Sequence, residues 1–242
     1  MRVTKQLLVV AIAAMFVACG NKGNTESDTT TATEQEQDAV KVVSKVTLTT
    51  FKADKYFVKN GKEINSTVIE YDRDGNISKI TKPNGLDIEC NVENNQITSV
   101  VGLGVWKQYK FSVKGNMVRY DNNSTATNIA IKFDDNLNVV SSDAKINFNS
   151  WEGLSSEKTF KYDNNGRLIE EFMNMGGEEA HEETTIKYKY DTDGQDWAVC
   201  KADVVWTRHE VNFDAEDPKD MDQIVGKKTS CQVIERNVEF YE

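Results

Sequence analysis

The chain has 242 residues and a mass of 27.3 kDa; 38% of it is hydrophobic, 28% is charged, and the formal charge is −10. That length suits one large all-β domain or two small ones. The low apolar share cannot cover both faces of a sheet with helices. No stretch beyond the N-terminal segment approaches about 18 consecutive apolar residues, which excludes a multi-pass helical membrane protein, and the acidic balance argues against a nucleic-acid partner.

Arg2 and Lys5 form a short basic start, and Leu7 to Ala18 are apolar or small. A helix over that run is roughly 18 Å long, too short for a bilayer core of about 30 Å, so residues 1–18 read as an export signal. The string Phe16-Val17-Ala18-Cys19-Gly20 resembles the lipobox of bacterial lipoproteins, with Phe16 where leucine is usual. The resemblance implies that Cys19 is lipidated and becomes the mature N-terminus. Gly20 is not the aspartate that retains lipoproteins at the inner membrane, so the resemblance places the protein at the outer membrane of the cell envelope. Two or three acyl chains anchor a protein stably where one does not. Loss of Arg2 and Lys5 takes the charge from −10 to −12. An acidic chain is repelled by an anionic membrane surface, so the lipid alone holds it there.

Residues 19–38 continue as the lipidated cysteine and a polar tether without aromatic residues or periodicity. Such a composition buries too little surface to order itself, and its reach is roughly 24 Å. Residues 39–242 form a single β-rich repeat domain. Its first segment, 39–51, is a strand or a short helical turn leading into one.

From residue 55 an alternating run ends in an aromatic or valine, acidic and amide residues with glycine follow, and a second apolar run begins. The clearest copies are Val68–Ile77, Phe160–Leu168 and Ile186–Gly194, with degenerate ones at Val92–Ile97, Val113–Met117 and Phe133–Leu137. The anchors at 71, 92, 113, 133, 162 and 190 stand 20 to 29 residues apart, the length of one hairpin and its link at five to seven residues per strand. Asp-Gly and Asn-Gly supply the positive φ of tight turns, and Asp and Asn bond back to the turn backbone. Asn60-Gly61 reads as one such turn. Asn84-Gly85 reads as another, with Pro83 pre-setting it between strands at 76–82 and 86–92. The expectation is an all-β fold: an antiparallel meander of roughly 12–14 strands, either a strongly curved open sheet or barrel-like.

The Tyr-Asp-x-x-Gly-x-Ile/Leu unit resembles the YD repeat of Rhs-type proteins and is equally similar to bacterial envelope lipoproteins built from such hairpins. Tyr71, Tyr162 and Tyr190 carry the signature, and the resemblance covers about 170 residues. Rhs proteins wrap a cargo cavity and are far longer. The strands here read as shorter than the nine to eleven residues, or about that, of a membrane-spanning barrel. Ile234–Tyr241 alternates as the last strand.

None of the carboxylates forms a recognisable catalytic pair. Asp72/Asp74 and, better, Asp191, Asp193 and Asp196 are superficially calcium-like. Their glycine comes too early for an EF-hand and their flanks are strands, so turn chemistry is the stronger reading. His181, in Glu178–Glu183 after Gly176-Gly177, reads as a solvated hairpin loop. It and His209 lack the spacing of zinc hydrolases. No nucleophile elbow, P-loop or dinucleotide fingerprint appears, so neither a cofactor nor an enzymatic activity is expected. Of Cys90, Cys200 and Cys231, the last two sit on late strands and are a candidate disulfide, the alternative being three small buried hydrophobes. Among Trp106, Trp151, Trp197 and Trp206, Trp151 and Trp106 are candidate ligand contacts.

The expected function is therefore a lipid-anchored, non-enzymatic envelope protein presenting a β-sheet surface to a protein or glycan ligand. The alternatives are an assembly partner of an outer-membrane complex and a glycan hydrolase. A concave pocket lined by Trp or Tyr favours a small ligand, a flat apolar patch favours a protein, and two carboxyls about 5–9 Å apart favour hydrolysis.

Overall fold

A computed structural model describes residues 41–242 except 123–126, 150–151, 178 and 194–195. The export segment 1–18, Cys19 with the tether 19–38, and Trp151 lie outside the described residues. The described chain is built of β1 (Val43–Ala53), β2 (Lys59–Tyr71), β3 (Ile77–Thr81), β4 (Ile88–Glu93), β5 (Gln96–Gly102), β6 (Ser112–Lys114), β7 (Met117–Asn122), β8 (Thr127–Phe133), β9 (Val139–Asn149), β10 (Glu152–Tyr162), β11 (Leu168–Gly176), β12 (Ala180–Tyr190), β13 (Val199–Val211) and β14 (Asp222–Phe240). No helix among the described residues is long and apolar enough to cross a membrane.

These fourteen strands form one antiparallel sheet in the order β5-β4-β3-β2-β1-β14-β13-β12-β11-β10-β9-β8-β7-β6. Every sequence neighbour pairs except β5 and β6, and the first and last strands pair with each other, with Thr47 opposite Asn237 and Phe51 opposite Val233. The sheet curls into a nearly closed barrel whose one seam falls between β5 and β6. A 3₁₀ turn at Gly104–Trp106 bridges that seam. It seats against Gly102, where a Cβ would lie only 2.0 Å from the Trp106 carbonyl oxygen.

Four of the hairpin turns share one construction. Asp54, Asp72, Asp134 and Asp163 each accept two backbone N–H bonds on Oδ1, from the residues two and four positions on, at 2.8–3.0 Å. The third residue after each aspartate has positive φ: Phe57 at 60°, Gly75 at 81°, Leu137 at 65° and Gly166 at 74°. The repeat is thus defined by its aspartate, and the glycine is replaceable. This corrects the Asn60-Gly61 turn. The chain reverses instead at Asp54–Val58, and Asn60 and Gly61 belong to β2. Asn84-Gly85 turns as expected, in a 3₁₀ turn over Pro83–Gly85.

Strand length also departs from expectation. β2 and β13 have 13 residues and β14 has 19. The outer face of the sheet carries cross-strand charge pairs, Lys161–Glu170 at 2.6 Å between β10 and β11, Lys45–Glu239 at 2.7 Å between β1 and β14 and Lys79–Glu70 at 2.9 Å between β3 and β2. Lipid-facing strands show an apolar band instead.

The core is lopsided. Ile80, Ile88, Cys90, Val118, Ile129, Ile131, Phe133 and Phe160 form one buried cluster, in which β3 to β5 pack across the interior against β7 to β10. A smaller cluster gathers Trp197, Cys200, Ala202 and Ile234 under Leu48, Ile186, Tyr188 and Tyr190. Between them the interior stays open.

Candidate functional site

The opening is a cleft of about 380 Å³ on the inner face of the sheet, inside the range of about 300–1,000 Å³ usual for small-molecule sites. Strand alternation assigns its lining. Val46, Leu48 and Thr50 come from β1, Thr67, Ile69 and Tyr71 from β2, Ile186, Tyr188 and Tyr190 from β12, and Gln232, Ile234 and Arg236 from β14. Successive inward residues lie two apart because side chains alternate faces along a strand. A more open depression of about 720 Å³ lies between the β2–β3 and β4–β5 hairpins, but eight of its ten lining residues are polar. It has little apolar wall to bury a ligand against.

Glu171 on β11 lines the cleft, placed in register between Phe160 of β10 and Ile186 of β12. Only 14% of its side chain is exposed, with Lys158 Nζ 3.9 Å away, and the Tyr188 hydroxyl donates to Glu171 Oε2 at 3.2 Å. Burial pushes the Glu171 carboxyl above its ordinary range, although Lys158 and Tyr188 pull the other way. Burial likewise raises Tyr188, and the neighbouring Glu171 raises it further. Arg236 faces inward opposite Leu48 and has no carboxylate within ion-pair distance among the described residues. Arg167, also at the rim, is paired with Asp163 at 2.7 Å.

One wall of the cleft is fixed by a relay. Asn84 Nδ2 donates to the Tyr162 hydroxyl, which donates to the Val139 carbonyl at 2.9 Å. Tyr190 similarly donates to the Leu168 carbonyl at 2.8 Å and meets Trp197 edge-on at 4.9 Å. The three tyrosines that mark the hairpin repeat, Tyr71, Tyr162 and Tyr190, therefore all line this interior.

The residues singled out from sequence fall mostly elsewhere. Trp106 is half-buried at the seam, tilted against Phe111 at 6.1 Å, and packs on the core without reaching the cleft. Trp197 lines the cleft, and Trp206 donates to Glu182 at 3.1 Å. Asp191, Asp193 and Asp196 are exposed and do not converge as ligands. Asp191 Oδ2 accepts the Val199 N–H, and the backbone carbonyls of Thr192 and Asp193 accept from Arg167 and Asn165. That loop is a strap laid over the neighbouring hairpin.

Cys200 and Cys231 do not pair; both are free, as is Cys90. Cys200 stands opposite Ile234 and Cys231 opposite Asp203, in unbroken register. The offset of three residues directs the two thiols to opposite faces of the sheet. Burial pushes Cys90 and Cys200 up to about 12. His181 is not in a loop either; it belongs to β12 and stands directly opposite His209 of β13.

Glu171, Lys158, Tyr188 and Arg236 were not singled out from sequence. Their one local signal is inward phase on an alternating strand. Comparison with family models, with curated proteins and with solved structures gives no match.

Proposed function

We propose that the chain is a lipid-anchored envelope protein, held through Cys19, whose interior cleft binds a small amphipathic molecule with an anionic head. The observation that carries this reading is the lining: aliphatic and tyrosine side chains are interleaved with amides such as Asn65, Asn84, Asn136 and Gln232 around Lys158, Arg167 and Arg236, with Glu171 the one carboxylate among the residues that line the cleft. Apolar walls with convergent polar groups are the usual form of a small-molecule site. Glycan hydrolysis needs two facing carboxyls, so a single buried one favours binding over that chemistry. A protein-docking surface is the second reading, and it finds less support because the apolar side chains converge inside the curl of the sheet.

The test is a titration of the full-length, detergent-solubilised protein with amphipathic anions, a medium-chain fatty acid and an anilinonaphthalene sulfonate, followed by Trp197 fluorescence. Saturable binding is expected. Arg236→Met should weaken it about tenfold, the loss of one charge-assisted hydrogen bond. Ile186→Trp, which fills the cleft, should abolish it. Binding unaffected by the filled cleft would overturn the proposal. The anchor is tested separately: Cys19→Ser should move the protein out of the detergent phase, and continued partitioning there would refute lipidation.

A further inference from the structure

We propose that His181, His209 and Asp222, on the outer face of the sheet, form a binding site for a single divalent transition-metal ion of the zinc class.

The three residues come from adjacent strands. His181 of β12 pairs in register with His209 of β13, and Asp222 at the start of β14 pairs with Val211. A register shift in β14 beside His209 brings Asp222 level with the imidazole. One ligand atom from each residue lies within 4.8 Å of the other two, the one such group of His, Cys, Asp or Glu among the described residues. The site is on the opposite face from Cys200, Ala202 and Val204, so it is separate from the cleft.

Chemistry and geometry agree on the ion. Asp222 Oδ1 lies 3.0 Å from His209 Nδ1, so the two need to part by only a few tenths of an ångström to reach the roughly 3.3–3.6 Å that separates two ligands of a tetrahedral ion with bonds near 2.0–2.2 Å. Without the ion, the ring and the carboxylate face each other at hydrogen-bond distance. Glu183 lies on the same face, 3.9 Å from His181 Nε2 and 3.7 Å from His209 Nε2. Asp222 and Glu183 together set two carboxylates beside two imidazoles, a nitrogen and oxygen donor set for a divalent transition metal. Two imidazoles with carboxylate oxygens suit zinc, copper or nickel far better than magnesium or calcium, which take all-oxygen shells.

One rearrangement is required. The two rings stack at 4.5 Å and 17°, so their in-plane lone pairs do not yet meet. His209 is held by Asp222 on one side and by the Thr207 hydroxyl, 3.2 Å from Nε2, on the other. His181 is the more exposed of the pair, and it is the ring that turns.

The experiment is calorimetric titration of the chelator-stripped full-length protein with Zn²⁺, alongside visible absorption of the Co²⁺ form. One equivalent of Zn²⁺ should bind, and Co²⁺ should give the intense visible bands of a tetrahedral site. Ca²⁺ and Mg²⁺ should not compete. His181→Ala and Asp222→Asn, each removing one proposed ligand, should each weaken Zn²⁺ binding by about tenfold or more, at least the loss seen when a group that only supports a ligand is removed. The melting curve of the His181→Ala variant without metal would verify that it keeps the fold. Failure to bind one equivalent, or equal affinity in the folded His181→Ala variant, would overturn the proposal.

Discussion

Asn84 and Tyr162 are 78 residues apart in the chain, yet the amide nitrogen of the first donates to the hydroxyl of the second at 2.7 Å. The bond joins the turn after β3 to the end of β10 across the curl of the sheet. Tyr162 is one of the repeat tyrosines, and its phenol is held protonated by burial. Tyr162→Phe keeps the ring but leaves the Asn84 amide and the Val139 carbonyl short of a partner. A loss of about 1–3 kcal/mol is expected, read from urea denaturation; an unchanged midpoint would show that the relay adds nothing to stability.

Leu137 sets backbone strain against burial. Its φ of 65° disfavours any side chain, at about 1–2 kcal/mol, while its side chain is only 4% exposed in the main core. Removing a buried leucine side chain costs about 2–5 kcal/mol. Leu137→Gly should therefore destabilise, by about 1–3 kcal/mol net. At Gly75, where φ is 81° and nothing stands within 4 Å, alanine should cost only the backbone term. Stabilisation by Leu137→Gly would show that strain dominates.

Glu171 gives the protein an acid-side signature. Its folded-state pKa lies above the ordinary 4.5, so across that interval the native chain holds a proton that the unfolded chain has released. Stability then rises as pH falls through the interval. Asp72 and Asp163 act in the opposite sense below the ordinary 3.8. The Asn76 N–H lowers the first; at Asp163 burial raises the pKa, but the bonds from Arg167 outweigh it. Their contribution is complete above that value and fades on further acidification. Glu171→Gln should flatten the pH dependence above the ordinary 4.5 and leave the loss at lower pH intact. A curve identical to wild type would remove Glu171 from this role.

Thiol reactivity should separate the cysteines. In the native state only half-buried Cys231 is expected to label with a soluble thiol reagent, and slowly, since burial and Asp203 raise its pKa. Cys90 and Cys200 should label only in denaturant. A Cys200–Cys231 crosslink in non-reducing peptide mapping would contradict the register.

The fold was legible from sequence because its information is local. Each aspartate bonds to residues two and four positions on, and alternation fixes which side chains face inward, so the all-β meander and a strand number within 12–14 follow. Asn60-Gly61 misled because Asp54 builds the same turn nearby and tolerates Phe57 where glycine is usual. Strand lengths were underread because polar residues on the outer face of β2 and β14 look like loop. The cleft and the histidine pair were not legible. His181 and His209 lie 28 positions apart in a chain with no signal for which strands adjoin, and the glycines and glutamates around His181 suggest a turn. Glu171 looks like any outer-face glutamate until a bulge between Lys161 and Tyr162 settles its phase.

The pairing of β1 with β14 governs the order in which the molecule can be completed. The earliest strand to be made keeps a bare edge until the final one arrives, and Ile234 and Arg236 reach the cleft only then. Contacts so distant in sequence make folding slow, and an unpaired edge invites association with other chains. A chain ending at Val211 is thus expected to aggregate during folding, whereas one lacking only Glu242, beyond the last ladder residue, should fold; equal yields of the two would show that β14 is dispensable for assembly.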